Sequence, residues 1–167
     1  MAQTRPRPER LSVGRALALG ALTVGVLDLL DAVVFFGLRG GPVTTILQSI
    51  ASGLLGPAAF DGGTATAVLG MLLHFVIALM IVLTYRLASR WLPLLVREPI
   101  GFGVLYGVAV YLTMTLVVVP ISAAGSGPPA LPEWPVLANG LLIHILGVGV
   151  PSALFARASA SQPTLVP

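Results

Sequence analysis

Four long apolar runs, at about 16–38, 64–87, 100–121 and 136–156, alternate with short stretches rich in arginine, proline and glycine. Each run meets the requirement of about 20 apolar residues for a helix that crosses a bilayer. The first is interrupted only by Thr23 and by two carboxylates, Asp28 and Asp31. The second ends at Arg86, Arg90 and Trp91, a pairing of arginine with an aromatic ring that suits a membrane interface. The third carries Gly103-x-x-x-Gly107, a spacing that lets two helix backbones approach closely, and loosens at Pro120. The fourth follows a turn-rich loop containing Trp134 and ends at Arg157.

Between the first two runs the pattern changes. Val43, Ile46, Leu47, Ile50 and Leu54 recur at helical spacing, with Thr45, Gln48, Ser49 and Ser52 on the opposite stripe. Residues 43–55 are too few to span and predict an amphipathic interfacial or re-entrant helix. Residues 1–13 and 158–167 predict disordered cytoplasmic tails on either side of a bundle covering 14–157. The expected fold is an all-α membrane protein: four transmembrane helices plus one short interfacial or re-entrant helix between the first and second.

Composition agrees with this pattern. The chain is 56% hydrophobic and 9% charged, with a mean hydropathy of +0.98, far from the quarter-charged norm of soluble domains. All the basic residues are arginines at the ends of apolar runs, which marks topology and argues against a nucleic-acid partner. With the N-terminus inside, Arg5, Arg7, Arg10, Arg15, Arg86, Arg90, Arg97 and Arg157 fall on the cytoplasmic side and only Arg39 outside. Both termini are therefore expected to be cytoplasmic, and the basic N-terminus reads as an uncleaved signal anchor. The absence of cysteine excludes disulfides, thiolate metal sites and iron–sulfur clusters.

Chemistry enters with the polar residues inside the spans, because ionisable groups in a bilayer are costly unless partnered. Counting about 1.5 Å per residue from the outer helix ends puts Asp28, His74, His144 and Thr113 roughly 14 to 16 Å deep, with Asp31 about one turn shallower. The expected site joins Asp28, His74 and His144, with Asp31, Gln48 and Thr113 as further pocket residues. Ligands converging from separate helices suit a metal ion such as zinc or iron. Two facing histidines also fit an edge-on haem, although Arg39 is the only external cation for its propionates. The alternatives are a proton-linked site and a polar network that fixes helix register in a structural or assembly subunit of a membrane complex. The sequence shows no catalytic constellation: a triad would need Ser49 or Ser52 from the interfacial segment, and no phosphate-cradling loop opens a helix. The glycine face of Gly103 and Gly107 is the expected contact for a second copy or a membrane partner.

Gly70-Met-Leu-Leu-His74 and Gly140-Leu-Leu-Ile-His144 share glycine, leucine and histidine at equal offsets, the pattern of a two-plus-two internal repeat. Gln48-Ser-Ile-Ala-Ser-Gly-Leu-Leu-Gly56, the Gly62-Gly63 pair, Leu73-His74-Phe75 and Val117-x-x-Pro120-x-Ser122 together resemble small bacterial inner-membrane proteins with four predicted helices. The resemblance covers most of residues 14–157. It implies a multi-pass protein of the bacterial inner (cytoplasmic) membrane, and carries no activity and no functional residues.

Overall fold

Apolar runs of this length fold as helices because a helix satisfies its backbone hydrogen bonds internally where no water is available. The computed structural model describes residues 10–125 and 127–160, and among these every regular element is helical. α1 spans Val13–Gly37, α2 Val43–Leu55 and α3 Gly63–Trp91, and a single turn α4, Leu94–Arg97, leads into α5, Pro99–Thr113. A wide π-helical stretch at Met114–Val118 carries α5 into α6, Val119–Ile121; a second, at His144–Gly149, joins α7, Trp134–Ile143, to α8, Val150–Ser159. Among the described residues five helices are long and apolar enough to cross a membrane: Val13–Gly37, Val43–Phe60, Gly63–Trp91, Pro99–Ile121 and Trp134–Ser159. The chain therefore fits an all-α membrane protein.

Most of the two expected tails, residues 1–9 and 161–167, lies outside the described residues. The parts nearest the bundle belong to it. Ser12 caps α1 by accepting from the Arg15 backbone N–H at 3.3 Å, the Leu11 N–H donates to the Ala158 carbonyl at 3.3 Å, and α8 continues to Ser159.

Side-chain size fixes the directions of the helices. Gly20 lies against Val82 and Phe155, and Gly25 cradles the Phe75 ring, so α1 runs antiparallel to α3. Gly103 meets Val150, Gly107 meets His144 and Ile145, and Gly140 meets Tyr111, so α5 runs antiparallel to α7 and α8. Gly147 against Leu27 and Gly20 against Phe155 place α1 antiparallel to α7 and α8 as well. The four long rods thus alternate up and down. The ends of α1 and α6 and the starts of α3 and α7 meet at one end of the bundle.

In lipid, apolar side chains gain nothing by leaving one hydrocarbon phase for another, so helix contact depends on close packing and on polar ties. The core uses small and β-branched residues, Val24, Ala78, Val82, Val110 and Val148. A second cluster, Tyr85 with Ala153 and Ala156, closes the α8 end. There the Tyr85 hydroxyl donates to the Leu95 carbonyl at 2.9 Å and the Tyr106 hydroxyl to the Ile81 carbonyl at 2.7 Å. Outward faces carry exposed Leu22, Leu30, Val76, Met80, Leu105 and Leu146, the surface a lipid environment solvates.

α2 rests on the first third of α3. Gly70 is where the two backbones touch: a Cβ there would collide with the Leu47 carbonyl and stand 3.3 Å from the Ala51 nitrogen. Gln48 donates to the Gly63 carbonyl at 3.0 Å and to Thr66 Oγ1 at 3.3 Å, tying α2 to the start of α3. The link between the two helices is a 3-10 turn, Gly56–Phe60. Gly56, which opens the turn, and Gly63, which opens α3, both have positive φ (62° and 55°), where a side chain would be strained.

Candidate functional site

The chemistry-bearing residues gather on a cavity of about 500 Å³ beside the bundle axis, a size within the ~300–1,000 Å³ of small-molecule sites. α1 contributes Val24, Asp28, Ala32 and Phe36; α2 contributes Thr45, Ile46, Ser49 and Ile50. His74, Ala78 and Ile81 come from α3, Tyr111 from α5, and Met114 and Thr115 from the π stretch that follows. His144 and Val148 close the fourth side. Most of this wall is hydrocarbon, with Asp28, His74, His144 and the Tyr111 phenol as its titratable groups.

His74 is buried, and its Nε2 lies 2.9 Å from the Gly25 carbonyl of α1. His144 is half-buried, with Nδ1 3.0 Å from the Gly140 carbonyl one turn earlier on its own helix. A carbonyl oxygen only accepts, so in each ring the nitrogen facing it carries the proton. The opposite nitrogens, His74 Nδ1 and His144 Nε2, make no hydrogen bond to the protein among the described residues. No enclosed side-chain nitrogen or oxygen there is left without a partner, so these two nitrogens are accessible, and both residues border the cavity. In the neutral form each open nitrogen is a hydrogen-bond acceptor.

Asp28 approaches His144 Nδ1 to 3.7 Å, beyond a hydrogen bond but close enough for charge to be felt, and its side chain keeps 26% of its exposure. Tyr111 meets the His144 ring edge-on at 5.2 Å, and Phe75 meets His74 in the same way at 5.5 Å. His144 also starts the π stretch of the last rod. Such wide turns occur often at functional sites because they re-aim side chains that a regular helix would place elsewhere.

The sequence expectations for individual residues divide. Asp28, His74 and His144 share the cavity. Asp31 does not border it: its Oδ2 accepts from Asn139 Nδ2 at 2.7 Å, a tie between α1 and α7. Thr113 is exposed on the outer side of α5, and Thr115 borders the cavity in its place. Gln48 is buried against α3, while its neighbours Thr45 and Ser49 face the cavity. The Gly103–Gly107 face, expected to meet a second copy or a partner, is filled by the chain's own last rod. The two histidine segments that read as a repeat sit differently as well, since Gly70 faces α2 and Gly140 faces Tyr111.

Asn139 and Tyr111 were not singled out by sequence reasoning as site residues. Asn139 is the only asparagine of the chain and lies inside an apolar span five positions before His144, which was the available signal. Tyr111 reads as a packing residue until its neighbour is known.

Among the described residues no group of three or more histidine, aspartate or glutamate side chains is arranged to hold a metal ion. No protein-family model matches the chain, and comparison with curated proteins and with solved structures finds no significant match.

Proposed function

We propose that this chain is a four-span membrane protein with α2 re-entrant, and that its cavity binds a small amphiphilic molecule whose polar end sits at Asp28, His74 and His144. The observation that carries this reading is that three ionisable groups from three rods converge on one largely apolar cavity. A metal site would ask for three or four donors about 2 Å from one point, and among the described residues no group of three or more histidine, aspartate or glutamate side chains is so arranged. A haem would need cations for its propionates, and no arginine lines the cavity. The alternative of a packing network in a structural subunit has its own support in the Asp31–Asn139 bond, which does not border this cavity. The reading therefore assigns Asp31 to assembly of the bundle and Asp28 to binding.

The alternation of the rods supports the membrane placement. Because α1 ends and α3 starts at the same end of the bundle, α2 leaves and returns on one side. Arg15, Arg86, Arg90, Arg97 and Arg157 lie near the opposite end and Arg39 near the α2 end, so the positive-inside rule favours cytoplasmic termini. In this reading the protein sits in a bacterial inner membrane with the cavity toward the outer face. Trp91 and Trp134, both exposed and at opposite ends, match the two interfaces.

The native chain has no cysteine, so single introduced thiols report sidedness cleanly. Leu38→Cys and Phe60→Cys are expected to react with a membrane-impermeant maleimide from the same side, and Leu92→Cys from the other. Opposite sides for Leu38→Cys and Phe60→Cys would mean that α2 crosses.

Binding is tested with an alkyl diazirine probe photolysed on protein in nanodiscs. Label is expected on peptides carrying Thr45–Ile50 and Tyr111–Thr115, and Ala32→Trp, which fills the cavity, is expected to reduce it by at least about tenfold without lowering the melting temperature. Undiminished labelling in that variant would overturn the cavity as a binding site.

A further inference from the structure

Asp28 and two histidines border a cavity that no arginine lines. On the reading that this cavity binds an amphiphile, we infer that it selects a head group that donates hydrogen bonds, an amine or a hydroxyl, and discriminates against carboxylates and phosphates.

The inference follows from which atoms remain open. His74 spends its N–H on the Gly25 carbonyl and His144 spends its N–H on the Gly140 carbonyl. In a neutral ring the nitrogen left open carries a lone pair, and both residues border the cavity. Asp28, whose carboxylate makes no hydrogen bond to the protein among the described residues, adds two more acceptor oxygens. The remaining polar groups of the wall are hydroxyls, which carry no charge. Ser49 is already committed as a donor to the Ile46 carbonyl at 2.7 Å, and Thr45, Thr115 and Tyr111 donate or accept as the ligand requires.

No arginine borders the cavity, so an anionic head entering it would lose its hydration with no cation to meet it, and would stand near the Asp28 carboxylate. The nearest arginine in sequence to this end of α1, Arg39, is turned back on its own helix. Its Nη1 donates to the Phe35 carbonyl at 2.9 Å and its guanidinium lies 3.6 Å from the centre of the Phe35 ring. An ammonium or hydroxyl head meets the opposite situation, because it can donate to Asp28 and to the open nitrogens of neutral imidazoles. The hydrocarbon part then lies along Val24, Ile46, Ile50, Ile77 and Ile81.

The test compares three probes of one chain length, octylamine, 1-octanol and octanoate, on the full chain in nanodiscs at neutral pH. Saturable binding is measured above the partition into empty nanodiscs. Octylamine and 1-octanol are expected to bind at least about tenfold more tightly than octanoate, and Asp28→Asn to remove most of the preference for octylamine over octanoate. Octanoate binding as tightly as the other two, or more tightly, would overturn the head-group assignment while leaving the cavity as a binding site. Saturable binding by none of the three would instead overturn the binding reading itself. The comparison on the unaltered chain is decisive even if the Asp28 variant folds poorly.

Discussion

Gly107→Val is expected to cost about 3 kcal/mol or more and to lower the melting temperature in detergent more than any substitution on the outer faces. At Gly107 a Cβ would run into the His144 carbonyl and stand 2.7 Å from Ile145 Cα. Across the same seam a Cβ on Gly149 would stand 2.7 Å from Gly107 Cα and collide with the Gly103 carbonyl. Every obstacle is backbone, so no side chain can turn aside and the two rods must part. Parting them also moves His144, whose carbonyl forms the contact, away from the cavity wall. Gly140 provides the graded comparison. There the obstacle is the Tyr111 ring, with Cζ 2.9 Å away, and Gly140→Ala is expected to cost less because a ring can tilt. Gly14 and Gly101 have nothing within 4 Å. Their alanine variants should lose no stability and gain some, since alanine is the better helix former by about 1 kcal/mol in a helix interior. Thermal melts followed by size-exclusion fluorescence would rank the four variants. A melting temperature for Gly107→Val within two or three degrees of the native protein would contradict the seam.

Those glycines also show what the sequence made legible. Gly103-x-x-x-Gly107 announced a close helix contact. It did not say whose helix would fill it, because a stripe of small residues accepts an intramolecular rod as readily as a second copy. Depth was legible for a related reason. In antiparallel rods of similar length, counting along the axis ranks residues by level, and Asp28, His74 and His144 do border one cavity. Rotation about the axis was not legible. Thr113 and Thr115 differ in depth by only about 3 Å but point about 200° apart around a regular helix, and only the second faces inward. On α2 the polar stripe divides, with Gln48 turned to Gly63 and Thr45 and Ser49 to the cavity. A period of 3.6 residues cannot foresee that division while both neighbours of the helix are unknown. The π stretches at Met114 and His144 are a further source of lost phase, because each adds residues to a turn without any glycine–proline break at its start.

The two aspartates that look equivalent in sequence are expected to separate in the laboratory. Asp31 accepts from Asn139 at 2.7 Å and does not border the cavity, so Asp31→Leu or Asn139→Leu should lower the melting temperature and leave octylamine binding unchanged. Interhelical polar ties of this kind contribute about 1 to 2 kcal/mol at most in a membrane, and the partly exposed site places the pair at the lower end. The double variant should cost less than the sum of the two single ones, because either change alone leaves a polar group without its partner. Asp28 is the reverse case. Its nearest protein partner, His144, is 3.7 Å away, too far to hold a helix in register by hydrogen bonding. Asp28→Asn should therefore leave the melting temperature close to that of the native chain while weakening octylamine at least about tenfold, a loss of about 1.4 kcal/mol. The mechanism differs in each arm: an amide cannot offer the ammonium a charge, whereas a leucine at position 31 cannot hold α7 to α1. If Asp28→Asn destabilises the protein as much as Asp31→Leu and both lose binding together, the carboxylates act as one structural unit and the division between assembly and binding fails. If the two effects separate, the turn of helix between residues 28 and 31 is the boundary between the part of the polar layer that builds the bundle and the part that faces a ligand.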